Sequence, residues 1–183
     1  MKRQIRSSVF ETNSSSTHSI AISKTPIIIG ENICFNIGEF GWENDTADTA
    51  DYLYTAILEQ DNSSELLNKL KEILDKHSIK YEFEEPIYEK FTYSDDEYLV
   101  YGYIDHSCEL ADFIDTILND EDLLMRYLFG DSTVYTGNDN QDCRPDGCDI
   151  AEEYYWTEEN GNYIKKPNPY HDSNNYDYFY KGN

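Results

Sequence analysis

Residues 81–105 alternate aromatic or aliphatic side chains with polar, mostly acidic ones. Successive side chains of a β-strand point to opposite faces, so this alternation predicts antiparallel strands with one face buried and the other in water. The segments YEFEEP and IYEKFTYSDDEYLVYGYID show the pattern most clearly, with a turn expected at Ser94, Asp95 and Asp96. We therefore expect an antiparallel sheet in this part of the chain.

Three other segments have the apolar spacing of amphipathic helices. TADTADYLYTAIL (46–58) and SSELLNKLKEILDKH (63–77) each place an apolar stripe on one helical face. Ser63 or Ser64 is expected to cap the second of them. ELADFIDTILNDEDLLMRYLFG (109–130) predicts one or two further helices that end at Gly130.

The two ends of the chain complete the predicted fold. QIRSSVF (4–10) and HSIAIS (18–23) predict an N-terminal hairpin, and ENICFNIGEF (31–40) and STVYTG (132–137) predict further strands. Beyond Gly137 the sequence becomes polar and rich in turn-forming residues and tyrosine. We predict an α+β core over residues 1–136 with two to four amphipathic helices, and a polar, Tyr-rich extension over residues 137–183 that can dock on the core.

The charge of the chain limits its partners. A net charge of −23, from 14 Lys and Arg against 37 Asp and Glu, repels phosphates and argues against a nucleic-acid binder with a basic groove. Such a surface attracts cations, basic proteins, or a protein groove that normally holds nucleic acid. The sequence contains no apolar run long enough to cross a bilayer and no apolar secretory core, so we expect a cytoplasmic protein without membrane contact.

The stretch VFETNSSSTHSI (9–20) fits two interpretations. Its polar centre consists of Asn13, Ser14, Ser15, Ser16, Thr17 and His18. A hydroxyl nucleophile needs a base that a third group orients, and His18 with Glu11 could supply both, which would make the protein a hydrolase. The same residues are typical of a turn whose side chains satisfy the backbone, and no Gly-x-Ser-x-Gly motif is present. We favour the turn, and a protein that is not an enzyme.

A metal site is the second possibility. Cys143 and Cys148 are spaced as a zinc loop can be, and His106 with Cys108 could complete a tetrahedral site of three cysteines and one histidine. The protein would then be a small zinc-stabilised interaction module. Because two Cys-x-x-Cys pairs are absent and Pro145-Asp146-Gly147 forms an ordinary turn, we predict no cofactor and keep zinc as an alternative.

The densest acidic segment runs from residue 81 to residue 122, with fourteen carboxylates against Lys90 alone. Two or three carboxylates can hold Mg²⁺ in a nuclease, but a nuclease also needs basic residues for the phosphates, and this segment lacks them. Carboxylates at alternate strand positions lie roughly 6 to 7 Å apart, close to the spacing of phosphates, so a DNA-like surface is the preferred hypothesis. The predicted partner-binding residues are Glu84, Glu85, Glu89, Asp95, Asp96, Glu97, Asp112 and Asp115.

The string IRSSVFETNSSSTHSIAI (5–22) resembles the opening of a group of small proteins encoded by bacterial phages and other mobile elements. Ten successive residues, FETNSSSTHS, carry the resemblance. Size and acidity are also similar to those of anti-CRISPR proteins, in particular inhibitors of the type II-A nuclease Cas9. Cas9 holds its heteroduplex in a positively charged channel and reads its PAM with arginines, and both are surfaces for which an acidic protein can compete.

The resemblance implies a phage or mobile-element protein that inhibits a nucleic-acid-handling defence nuclease in the bacterial host, with Cas9 as the best candidate. The carboxylates would contact the nuclease. Lys2, Arg3 and Arg6, in the basic N-terminal region, could touch guide RNA or DNA. The hydrolase or nuclease and the zinc module remain the alternatives.

Overall fold

A computed structural model describes residues 16–30, 32–41, 45–93, 97–104, 110–138 and 153–182. Its helices are α1 (Thr49–Leu58), α2 (Ser63–Lys76), α3 (Ala111–Asn119) and α4 (Glu121–Phe129). Its strands are β1 (Ser16–Ser23), β2 (Ile33–Phe35), β3 (Glu39–Phe40), β4 (Asp45–Ala47), β5 (Tyr81–Phe83), β6 (Tyr88–Lys90), β7 (Glu97–Leu99), β8 (Tyr103–Ile104), β9 (Thr133–Asn138), β10 (Tyr154–Glu159), β11 (Asn162–Pro167) and β12 (Tyr176–Gly182). The predicted α+β class is confirmed. No helix within these ranges is long and apolar enough to cross a membrane.

The largest sheet has the strand order β12-β1-β9-β4, and all of its pairs are antiparallel. Ile20 and Ile22 of β1 and Val134 of β9 belong to the core that the helices cover. Ala21 and Tyr135 point to the opposite face, where they pack with Tyr170 and Tyr176 from the C-terminal part of the chain. The sheet is therefore covered on both faces by different parts of the sequence.

Strand β1 is paired on both edges, with β9 on one side and β12 on the other. The arm QIRSSVF, predicted as its hairpin partner, lies outside the described residues. Strand β12 is fastened by Asp177, whose carboxylate pairs with Lys24 at 3.0 Å and with Arg126 of α4 at 2.6 Å. The hydrogen bond from Arg126, followed by that from Lys24, lowers the pKa of Asp177. Residues from the predicted C-terminal extension thus form an edge strand of the main sheet. The domain boundary after residue 136 remains a prediction.

Helix α1 lies at the centre of the structure. Asp48 caps it by accepting hydrogen bonds from the backbone N–H groups of Ala50 and Asp51. Its neighbours include α2, α3, α4, β2, β8 and β9. The buried residues of the helix are Ala50, Tyr52, Leu53, Tyr54, Thr55, Ala56, Ile57 and Leu58. Because little of its circumference reaches water, α1 organises the core rather than forming a half-exposed surface helix.

The segment 31–40, predicted as one strand, contains two separate strands. Strand β2 pairs with β5, and β3 pairs with β8, both in parallel. Between these strands the backbone N–H groups do not pair with another strand but donate to side chains. Asn36 N–H donates to Asp51 at 2.7 Å, Ile37 N–H to Glu84 at 2.7 Å and Gly38 N–H to Thr55 at 3.1 Å. Side-chain acceptors on α1 and after β5 therefore interrupt the strand. The expected antiparallel pairing holds for β6 with β7, but not for β5 and β8.

The helices follow the predicted periodicity, with two differences in detail. Helix α2 begins after Asn62, which makes no side-chain capping hydrogen bond, so the prediction of a serine cap is wrong. The segment 109–130 forms two helices because Asp120 ends α3 and caps α4, accepting from Leu123 N–H at 3.0 Å. The hairpin of β10 and β11 was not predicted.

Replacing each of two buried tyrosines with phenylalanine should change the free energy of unfolding differently. Tyr54 donates its hydroxyl to the carbonyl of Glu84 at 2.6 Å, whereas no described residue bonds the buried hydroxyl of Tyr127. Tyr54→Phe should lower the free energy of unfolding by about 1 kcal/mol, because it leaves a carbonyl without its donor. Tyr127→Phe should leave the stability unchanged or raise it. Urea denaturation of both variants tests this, and an equal loss in the two would contradict it.

Candidate functional site

His18 lies inside the protein. Its side chain is 1% exposed, and its Nδ1 lies 3.1 Å from the hydroxyl oxygen of Tyr52 on α1. In the sheet it stands opposite the buried Thr136. A general base must be within reach of the proton that it removes from a substrate. The burial of His18 therefore argues for a core histidine that joins β1 to α1 and against the base of an open active site.

The structure describes only some of the residues predicted for the motif loop, the metal site and the nucleic-acid contact. Ser16 and Thr17 lie in β1 beside His18. Among the described residues, Cys34 is an exposed free cysteine, and no group of three or more His, Cys, Asp or Glu side chains is arranged to hold a metal ion. The predicted residues outside the described ranges are Lys2, Arg3, Arg6, Asn13, Ser14, Ser15, Asp95, Asp96, His106, Cys108, Cys143 and Cys148. Zinc binding and the nucleic-acid contact accordingly stay predictions.

Four of the predicted partner-binding carboxylates lie on neighbouring elements. Glu84 and Glu85 directly follow β5, Glu89 lies in β6 and Glu97 in β7, and all four are exposed. Together with Asp51 at the start of α1 they form what we call the acidic edge. Asp51 was assigned by the sequence only to a helix, so its place in this group was missed.

The charges around the start of α1 contribute to the pKa shifts of Asp51 and Tyr54. Burial raises the pKa of Asp51, and the charges of Asp48 and Glu84 raise it further, while hydrogen bonds from Asn36 oppose the shift. Burial is also the main cause that raises the pKa of Tyr54 to about 12, with contributions from Tyr88, Glu85 and Glu84. Like charges therefore lie within electrostatic range of one another at this end of the edge.

The hairpin of β6 and β7 continues the acidic edge. Burial, then the charge of Glu97, raises the pKa of Tyr88. The hydroxyl of Tyr98 donates to Glu89 at 2.9 Å, and this bond is the main cause that raises the pKa of the tyrosine. A cleft between this hairpin and the start of α2 is lined by Asp61, Ser63, Tyr88 and Glu97, among others. By the strand register, Glu89 and Tyr98 stand on one face of the hairpin and Tyr88 and Glu97 on the other, so each face carries a carboxylate and a phenol.

Large apolar side chains are exposed in the same stretch of chain as these carboxylates. Tyr93, just after β6, is 99% exposed, and Tyr101 is 78% exposed on a backbone with φ of 62°. Ile87 and Tyr88 are exposed as well, whereas Phe91 and Tyr98 pack on each other with ring centroids 4.7 Å apart. Tyrosine is enriched at the energetic centres of protein interfaces. The edge therefore combines charge with side chains able to anchor a partner.

Most of the described cations are engaged elsewhere. Lys24 and Arg126 bind Asp177, Lys76 binds Glu121, and Lys166 binds Glu159. Lys71 lies over the ring of Phe83, the residue before Glu84, and so near one end of the acidic edge, whereas Lys69 donates to Asn119. Lys90 alone stands within the hairpin of the edge, opposite Glu97 in the strand register. The negative charge of the edge is therefore only slightly compensated by the described residues.

The two remaining predicted carboxylates lie on α3. Asp112 and Asp115 are exposed, and Asp115 accepts a hydrogen bond from the side chain of Asn119 at 2.9 Å. Helix α3 packs on α1, α2 and α4. Asp112 and Asp115 therefore lie on the exposed face of α3, a different element from those that carry the acidic edge.

The coupling within the acidic edge predicts a pH effect. Because the pKa of Asp51 is raised above 3.8, this carboxyl favours folding below pH 3.8, and that contribution is lost as the pH rises through the folded-state pKa. Glu84→Gln removes a charge and keeps an acceptor for Ile37 N–H, so the pKa of Asp51 should fall towards 3.8. NMR titration of the Asp51 carboxyl carbon measures this. Glu72→Gln on α2 is the control, and an Asp51 pKa that is equal in all three proteins would contradict the coupling.

Searches of protein-family models, of curated proteins and of solved structures found no match to this chain. No residue role can therefore be carried over from a relative.

Proposed function

We propose that the protein is a non-enzymatic inhibitor that binds a basic, nucleic-acid-handling defence protein of bacteria through its acidic edge. The observation that carries this proposal is the exposure of Glu85, Glu89 and Glu97 in the same stretch of chain as the exposed Tyr93 and Tyr101. A surface of this kind has the charge to enter a groove lined with lysine and arginine, and the aromatic side chains to hold it there.

The rigidity of the edge supports the proposal. Glu84 is held by Ile37 N–H, Glu89 by the Tyr98 hydroxyl, and the chain after β5 by the Tyr54 hydroxyl. Carboxylates that are already positioned lose less side-chain entropy on binding than free ones. The net charge of −23 would also steer a basic partner towards the protein.

Cas9 is the best candidate for the partner. Its nucleic-acid channel is positively charged, and its PAM is read by arginines that pair with bases. A rigid group of carboxylates can compete for either surface. This identification also rests on the resemblance of residues 5–22 to proteins of phages and mobile elements.

The direct test is binding to Cas9, with and without guide RNA, over a salt series and followed by a DNA-cleavage assay on the same samples. We expect binding that weakens as salt rises, because charge complementarity is screened, together with loss of cleavage. Binding that does not depend on salt would contradict a charge-based interface. An absence of binding in every condition would remove Cas9 as the partner.

Comparing two triple variants of equal charge change locates the interface. Glu85→Gln, Glu89→Gln and Glu97→Gln together should weaken binding at least about tenfold, which corresponds to about 1.4 kcal/mol. The control combines Glu65→Gln, Glu72→Gln and Asp122→Asn on the outer faces of α2 and α4, which changes the net charge by the same amount. Equal losses in both triple variants would mean that total charge, and not the acidic edge, determines the affinity.

A further inference from the structure

The hairpin of β10 and β11 has a geometry that fixes its register. Its turn residues Asn160 and Gly161 both have positive φ, 54° and 76°, as a type I′ turn requires. Tyr154 stands opposite Pro167, and Glu158 stands opposite Tyr163. At its base, Asn168 N–H donates to the carbonyl of Glu153 at 2.8 Å. The strands are therefore held in one alignment, and their side chains divide cleanly between two faces.

The two faces of the hairpin differ in exposure. One contains Tyr155, Thr157 and Lys166, which are half-buried, and also the ion pair of Lys166 with Glu159. The other face, which we call the aromatic face, contains Tyr154, Trp156, Glu158, Tyr163 and Lys165. Trp156 is 52% exposed and Tyr163 is 74% exposed. Burial in the core of the protein does not account for these rings.

Exposed rings on a two-stranded hairpin need an explanation. Such a hairpin is at best marginally stable alone, and its aromatic side chains gain little while they remain in water. Trp and Tyr in exposed positions are the residues that most often dominate binding energy in protein interfaces. The aromatic face is thus a candidate for contact with a partner.

The aromatic face already binds one cation of its own chain. The ammonium of Lys165 lies 4.4 Å from the centroid of the Tyr154 ring. This contact directs Lys165 towards Tyr154 and away from the turn. Trp156, the stronger ring for such interactions, is the next residue on the same face. The chemistry of this surface therefore suits a positively charged group.

A carboxylate completes the arrangement. Glu158 is two residues from Trp156 on the same face, about 7 Å along the strand, and directly opposite Tyr163. Trp156 and Tyr163 thus flank an exposed carboxylate. A planar cation that stacked on the indole could at the same time donate hydrogen bonds to Glu158.

We propose that the aromatic face is a binding site for arginine side chains of a protein partner. The guanidinium would stack on Trp156, donate to Glu158 and pack its edge against Tyr163. Arginine fits better than lysine because its planar group both stacks and donates in parallel to a carboxylate. A nucleic acid fits poorly, since Glu158 and the charge of −23 repel phosphates. The inference rests on the proposed function in that it names the side chain by which the basic partner is recognised.

The test uses the full chain and three capped peptides that alternate glycine with arginine, lysine or citrulline. NMR follows the indole N–H of Trp156, assigned with Trp156→Phe, and calorimetry gives the affinities. We expect the arginine peptide to shift this signal and to bind about three- to fivefold more tightly than the lysine peptide, with the neutral citrulline peptide weakest. Equal binding of arginine and lysine peptides, or an unmoved indole signal, would overturn the inference.

Variants separate stacking from simple charge. Trp156→Leu and Glu158→Gln should each remove most of the preference for arginine, and Trp156→Phe should keep part of it. Thr157→Ala on the other face and Glu65→Gln on α2 are the controls for the hairpin and for charge. A preference that survived in Trp156→Leu would overturn the stacking. Unchanged amide signals of Asn160 and Gly161 would show that the hairpin is intact in each variant.

The same peptides distinguish this inference from the proposed function. If the Glu85, Glu89 and Glu97 triple variant no longer binds Cas9 but still prefers the arginine peptide, both the acidic edge and the aromatic face are supported. If the unaltered chain fails to bind Cas9 but prefers arginine at Trp156, the proposed partner fails and the arginine site stands. If Cas9 binds and Trp156→Leu changes neither Cas9 nor peptide binding, the arginine site fails alone.

Discussion

The rest of the structure depends on the burial of α1. Eight of its ten residues are buried, so each polar group on the helix needs a partner from another element. The Tyr52 hydroxyl hydrogen-bonds with His18 in β1, and the Tyr54 hydroxyl donates to a backbone carbonyl after β5. The Thr55 hydroxyl accepts from a backbone N–H between β2 and β3. One helix thereby fixes the positions of the main sheet, the small parallel pairs and the start of the acidic edge.

The same arrangement determines where charge can accumulate. Asp48 caps α1 and Asp51 lies in its first turn, where the helix dipole and free N–H groups favour negative charge and offset some of the repulsion from Glu84. Most described cations serve internal contacts, such as the pairing of Arg126 and Lys24 with Asp177 that fastens β12. Among the described residues, most cations thus hold the chain together, while Glu85, Glu89 and Glu97 face water. That division is the physical basis of the proposed function.

Local patterns in the sequence predict the helices, because apolar periodicity is a property of neighbouring residues. The partners of the strands depend on distant groups, and so β2 and β3 could not be read as separate parallel strands: Asp51, Glu84 and Thr55 interrupt them from elsewhere in the chain. The hairpin of β10 and β11 did have a local signal, since Asn160-Gly161, between YYWTEE and NYIKKP, is a dipeptide typical of a type I′ turn. The polar, Tyr-rich composition of residues 137–183 indicated an extension there and not a pair of strands. For the site, acid density indicated Glu84, Glu85, Glu89 and Glu97, but neither Asp51 nor Trp156 could be recognised without the contacts around them.

The proposed function requires the acidic edge to be the surface that contacts the partner. Hydrogen–deuterium exchange of the protein, alone and bound to Cas9 without guide RNA, tests it most directly. We expect slower exchange in β6 and β7 in the complex and unchanged exchange in α2. Protection confined to α3 and α4, with β6 and β7 exchanging as in the free protein, would contradict it.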